Sequence, residues 1–270
     1  MNLNHKYLSL LLLSCILLLS FSGPASLKSQ GFVALYNGKD LAGWNIMCKT
    51  GGEEMARKIF SPEAKGIIHV YKNFPDGYQL NENKNDTHGM IFTQKKYSRY
   101  IFKFEYKWGS KRLNNFDMFQ YDAGVYYHVN NQKIWPGGIE YQVRYDHVKS
   151  ENHTGDIWNG GLKFKWFEGP GVTYLSPDKG GKERDNGRGE HKASPGVKYH
   201  ALNGKWNKCE IIVMGDEYAI HKLNGKVVNM ITRLNIKEGA IGLQSETAEI
   251  FYRNIMIKEL DKSLPASNFL

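Results

Sequence analysis

Groups that can move protons or grip hydroxyls recur at every second position of one short stretch. In Ile139-Glu140-Tyr141-Gln142-Val143-Arg144-Tyr145-Asp146-His147, the residues Glu140, Gln142, Arg144 and Asp146 alternate with apolar or aromatic ones. A period of two is that of a β-strand, whose successive side chains point to opposite faces. The pattern predicts a strand with its aromatic and aliphatic residues on the core and the polar four together on the other face. A face that only meets water is served by Thr, Lys and Ser. A carboxylate, an amide and a guanidinium side by side are expected to floor a binding cleft. The plainer alternative is that Arg144, or a Lys of the next strand, simply neutralises Glu140.

Other segments offer further groups in the same grammar. Gly124 to Val129 turns Val125, Tyr127 and Val129 inward and Tyr126 and His128 outward. Tyr100 to Trp108 sets Phe102, Phe104, Tyr106 and Trp108 against Lys103, Glu105 and Lys107, and Glu105 serves there either a site or a cross-strand ion pair. Gly160 to Phe167 places Lys163 and Lys165 opposite Leu162, Phe164 and Trp166. Asp146, His147, His153 and Asp156 fall in one loop that could hold a divalent cation, though their spacing matches no strong metal motif. No other cofactor is indicated.

The elements that must position these groups read as one large all-β domain. Residues 1–25 have the form of a secretory leader: a short apolar run from Tyr7 to Phe21, then Ser22, Gly23, Ala25 and Ser26, with cleavage expected near Ala25. Leu12-Leu13-Ser14-Cys15 loosely resembles a lipoprotein box, but the apolar run continues past Cys15, against lipidation there. No second run approaches membrane-spanning length. The expected location is secreted, periplasmic or on the cell surface of a Gram-negative bacterium. Residues 26–270 show no linker and no internal repeat. Cys48 and Cys209 could pair in an oxidising compartment, and neither sits in a thiol-metal pattern. The net charge of +9 raises nucleic acid as a partner, but the basic residues are dispersed and no recognition motif accompanies them. What remains of that charge is a field favourable to an anionic ligand or intermediate. Roughly a dozen short strands with almost no helical period predict a sandwich of two antiparallel sheets, with Asn224-Gly225 as a hairpin turn and Pro170 to Gly196 as a long loop.

Three pieces together resemble one family, the 3-keto-disaccharide (3-keto-glycoside) hydrolases or lyases, long catalogued as a domain of unknown function. They are Phe32-Val-Ala-Leu-Tyr-Asn-Gly-Lys-Asp-Leu-Ala-Gly-Trp44, Gly138-Ile-Glu-Tyr-Gln-Val143, and Gly239-Ala-Ile-Gly-Leu-Gln244 with Phe251-Tyr-Arg-Asn-Ile-Met-Ile-Lys-Glu-Leu260. Trp206-Asn207 and Leu223-Asn224-Gly225 also fit, so the resemblance spans nearly the whole mature chain. It implies a concanavalin-like jelly roll whose concave sheet holds an oligosaccharide or glycoside. One position departs: members commonly carry a His two places after the Leu-Gln pair, where this chain has Glu246.

A 3-keto sugar has an acidified C2 proton, so its glycosidic bond can break by elimination. That reaction needs a base for C2–H, a cation or donor for the C3 enolate, and an acid for the leaving oxygen. The resemblance leaves Glu140 or His128 as base, Lys163, Arg144 or Lys107 as cation, and Tyr126 or His147 as proton donor. Gln142, Arg144, Glu105, Lys107, Trp158, Gln244 and Glu246 are expected to bind substrate, with Trp158 offering a face to sugar C–H bonds. The alternatives are a non-catalytic carbohydrate-binding module and a uronate-type polysaccharide lyase. The Glu-x-Asp-x-x-Glu arrangement of retaining jelly-roll glucanases is absent.

Overall fold

A computed structural model describes residues 24–75, 87–114, 116–187 and 189–270. The leader, Cys15 and most of the loop expected at Asn81 to His88 lie outside them.

The described chain is a jelly-roll sandwich of two sheets, and every strand pair in it is antiparallel. The 8-stranded sheet runs Gly189–His191, Ile157–Asn159, Ile139–Asp146, Tyr121–Val129, Ala240–Ser245, Gly89–Thr93, Trp44–Cys48, with Glu151–Asn152 added to Ile139–Asp146. The 10-stranded sheet is centred on Asn207–Met214, Arg99–Arg112 and Ala248–Glu259. Strand alternation explains the core between them. Phe102, Phe104, Tyr106 and Trp108 face Val125, Tyr127, Tyr141 and Val143, all buried. Each such side chain removed from water contributes about 1.5–3 kcal/mol before conformational entropy is charged.

The tyrosines need partners for their hydroxyls in this dry layer, and they find them across it. Tyr106 Oη lies 2.7 Å from Thr154 Oγ1, and Tyr141 Oη donates to the Lys222 carbonyl at 3.0 Å. Tyr127 Oη lies 3.0 Å from His221 Nε2, while His221 Nδ1 meets the Gly155 carbonyl at 3.0 Å. Burial holds the His221 imidazole down at about 3, so it is a neutral structural bridge between the sheets.

Asn224 and Gly225 both adopt positive φ, 47° and 82°, which a two-residue hairpin turn requires. Four expectations are corrected. Gly52–Ile59 is a helix, stabilised by Glu53–Arg57 and Glu54–Lys58 pairs at i,i+4, with Ala56 and Ile59 buried. The strand expected from Gly160 begins only at Lys165, because Asn159 and Asn186 side chains cap the backbone of residues 161–164 instead. The long loop after Pro170 contains the strands Lys182–Asp185 and Gly189–His191. Cys48 and Cys209 are buried, free, and on different sheets.

Candidate functional site

The strand predicted to carry the chemistry lies near the middle of the 8-stranded sheet, and its polar face is the face turned away from the core. Register builds the site. Glu140 is paired with Tyr126 on one side and Trp158 on the other, Gln142 with Gly124, and Arg144 with Asp122. Directly paired residues share a face, so Tyr126, Glu140, Trp158, Gln142, Asp122 and Arg144 converge. The Ala240–Ser245 strand adds Gln244 beside Gly124, and Glu246 follows at its end.

The contacts are specific. Tyr126 Oη donates to Glu140 Oε2 at 2.7 Å. Gln142 Nε2 donates to Asp122 Oδ1 at 2.5 Å, and Arg144 Nη1 lies 3.8 Å from Asp122 Oδ2. Arg144 also pairs with Glu190, and its guanidinium lies 4.2 Å from the Phe119 ring centre. His88 Nε2 stands 3.0 Å from Glu246 Oε1 without closing a hydrogen bond. Gln244 Oε1 is buried and has no partner among the described residues, so it can accept from a bound hydroxyl. Gly124 is required: a Cβ there would sit 2.0 Å from Glu140 Oε1.

Burial and like charge set the proton affinities. Burial first, then the Glu246 charge, pushes the Glu140 carboxyl up to about 8, against the pull of Tyr126 and Arg144. The same two causes hold Asp122 well above the usual carboxylate range. Burial and the adjacent Glu140 hold the Tyr126 phenol protonated. A neutral Glu140 can give a proton at neutral pH.

Two walls flank this floor. The Ile134 side chain of the segment after Val129 packs on the apolar group Met90, Phe92, Tyr126, Val129 and Ala240. The neighbouring Trp135 is 44% exposed, its ring centre 5.3 Å from that of His88 and beneath Lys49 Nζ at 5.4 Å. On the opposite side stands Trp158, 41% exposed, between Glu140 and Glu190.

Several expected residues are elsewhere. A register shift against Ala240–Gly242 turns both Tyr127 and His128 to the core side. His128 is buried with Nε2 2.9 Å from the Gly215 carbonyl, and burial lowers its imidazole to about 4. Lys163 is exposed, and its backbone is tied to Asn235 beyond the end of the other sheet. Glu105 and Lys107 lie on the outer face of that sheet: Glu105 binds Arg253 and Asn254, and Lys107 lies over the Trp206 and Phe251 rings. His147 packs on Tyr121, and Asp146 accepts the Val148 and Lys149 amides that close its turn.

The cation site expected among these residues narrows. His153, Asp156 and Glu190 bring ligand atoms within 4.8 Å of one another. These three could hold a divalent ion, but Asp156 already binds His153 Nδ1 at 2.9 Å and the Ala193 amide at 2.6 Å, and Arg144 occupies Glu190.

Sequence reasoning missed Asp122, His88, Glu190 and Trp135. Asp122 was within reach, since Asp122, Gly124 and Tyr126 continue one period-two face. His88, Glu190 and Trp135 are brought in by segments that carry no periodicity.

A two-sheet jelly roll with acids, amides and exposed tryptophans on its concave sheet defines a glycosyl-hydrolase-like carbohydrate-active protein. Its family is equally plain: residues 31–258 match the 3-keto-alpha-glucoside-1,2-lyase-like domain, and the chain belongs to that family. The chain is similar to a proposed glycosyl hydrolase from Parabacteroides distasonis ATCC 8503, with 19% identity, TM-score 0.51, and 87% of this chain and 96% of that one covered. A second such protein from the same organism gives 17% identity, TM-score 0.50 and coverages of 85% and 99%. No curated protein matches the chain.

Proposed function

We propose that the protein cleaves the glycosidic bond of 3-keto-glycosides by elimination on this concave face. The observation that carries the reading is that two proton-handling pairs, Tyr126–Glu140 and His88–Glu246, share one face with opposite dispositions. Glu140 retains its proton up to about pH 8, whereas Glu246 lies against an imidazole that can share a captured proton.

In the proposed step the Glu246–His88 pair removes the C2 proton, and the C2–H electrons form the C2=C3 enolate. Its collapse restores the C3 ketone, forms C1=C2 and breaks the C1–O bond, while Glu140 protonates the leaving oxygen. One hydrogen moves from C2 to the aglycone oxygen, and no oxidant or reductant is consumed. Gln142, Gln244 and Arg144 orient the ring hydroxyls and the ketone. Water adding to the enone afterwards would give net hydrolysis. The leader-like residues 1–25 place this activity outside the cytoplasm.

Purified protein incubated with a 3-keto-glucoside and with its unoxidised parent tests the reading. Cleavage of the keto sugar alone, with a transient enone absorbance in the ultraviolet, is expected. Binding of both sugars with turnover of neither would instead make the chain a carbohydrate-binding module.

A further inference from the structure

We infer that the aglycone this site takes is itself a sugar ring, seated on Trp158, while Trp135 serves the ring that is cleaved. The inference deepens the proposed function and rests on it.

Among the described residues, the only aromatic side chains counted as exposed are Trp135 and Trp158, at 44% and 41%. The other tryptophans Trp44, Trp108 and Trp166 are buried in the core, as a residue of that size normally is. Leaving two indoles in water forfeits burial energy at both positions, and both positions flank the same acids. A flat apolar face beside hydrogen-bonding groups is what the C–H face of a pyranose requires.

The two platforms are not redundant. Trp158 is on the strand next to Glu140, and His88, which Trp135 touches, leads into a strand three further on from that of Glu140. Four strand spacings of about 4.8 Å separate the backbones of the two walls by about 19 Å. A single six-membered ring cannot touch both.

Chemistry then orders them. The group that takes the C2 proton of the cleaved ring, Glu246–His88, adjoins Trp135. The group that protonates the leaving oxygen, Glu140, is in register with Trp158. The leaving group is therefore directed over Trp158, with the Glu190 carboxylate on the next strand ready to accept its hydroxyls.

The test compares a 3-keto-disaccharide with methyl 3-keto-glucoside, on the full protein and on Trp158→Ala, Trp158→Phe and Trp135→Ala. Trp158→Ala is expected to reduce the preference for the disaccharide, as the ratio of kcat/KM values, about tenfold, which is about 1.4 kcal/mol. Trp158→Phe should recover most of that ratio, and Trp135→Ala should lower both substrates alike and leave the ratio in place. A ratio unmoved by Trp158→Ala, or moved equally by Trp135→Ala, overturns the assignment. Calorimetric binding of the unoxidised disaccharide and of methyl glucoside, with and without Trp158, reads the same subsite without turnover. Equal affinities for the two ligands in the parent protein would sink it, whereas failure to cleave either keto sugar would sink only the proposed reaction.

Discussion

Replacing Glu140 by Gln should make the protein more stable while removing its activity. In the folded chain Glu140 holds its proton up to about pH 8, against an ordinary value of 4.5. The unfolded chain releases that proton above about pH 4.5, so between these limits the folded state binds more protons and stability falls as pH rises. The loss is absent below 4.5, about 3 kcal/mol at pH 7, and complete at roughly 5 kcal/mol above pH 8. Glutamine keeps the shape and an oxygen for the Tyr126 hydroxyl, but it has no charge to desolvate. Urea unfolding of both proteins at pH 5, 6, 7 and 8 should therefore show a gap near zero at pH 5 that opens to about 3 kcal/mol in favour of Glu140→Gln at pH 7. In thermal scans at pH 7 this is a rise of roughly 6–12 °C. Turnover of the 3-keto-glucoside should fall by about 10²–10⁴ through loss of the acid. A gap that does not widen with pH, or a variant less stable than its parent, would show that Glu140 is ionised at neutrality, and the proton-donor role would fall with it.

Three further outcomes are expected. Because the Glu246 charge is the second cause of Glu140's raised value, Glu246→Gln should lower the pH at which the Glu140 carboxyl ionises, read by carbon-13 NMR of labelled glutamate; an unmoved titration would place the two carboxyls too far apart to work on one ring. Gly124→Ala puts a methyl where Glu140 Oε1 now lies, so it should cost about 1–3 kcal/mol and cut kcat by more than the stability loss explains; full activity in a folded Gly124→Ala protein would mean the carboxylate does not need its present position. Arg253→Ala, on the outer face of the other sheet, strips Glu105 of its guanidinium and should lower stability by about 1–3 kcal/mol with kcat/KM unchanged, and a loss of activity would tie that outer face to the cleft.

The sandwich was legible because period-two alternation reports a strand's two faces wherever one is buried. Ile139–Asp146 and Arg99–Arg112 show it most clearly. What alternation does not report is which sheet a strand joins. Glu105 and Lys107 have the same local pattern as Glu140 and Gln142, yet they point away from the molecule's other side because Arg99–Arg112 belongs to the other sheet. Nor does it survive an irregularity. His128 continues the outward series of Asp122, Gly124 and Tyr126 in sequence, and one register shift reverses its direction. His88 and Trp135 were beyond reach for a third reason: each contributes one side chain from an aperiodic segment, so only tertiary contact reveals it. The departure at Glu246, by contrast, was visible, and the structure gives it an imidazole partner in His88 from another strand.

The charge of the whole chain misdescribed the charge of the site. A surplus of +9 suggested a basic cleft, but Asp122, Glu140, Asp156, Glu190 and Glu246 outnumber Arg144, His88 and His153 there. The lysines are on other surfaces, with Lys103, Lys208 and Lys222 around a hollow of the opposite sheet. This has a chemical consequence. A uronate would bring its own carboxylate into a field that already keeps Glu140 and Asp122 protonated, so the lyase of acidic polysaccharides is the weaker reading. An enolate would meet the same repulsion if it lingered as a free anion. The site suits elimination only when protons move with the electrons, the C2 proton leaving to Glu246–His88 as Glu140 delivers its own. A raised Glu140 is thus what an acidic cleft must contain if a neutral keto sugar is to pass through an anionic intermediate within it.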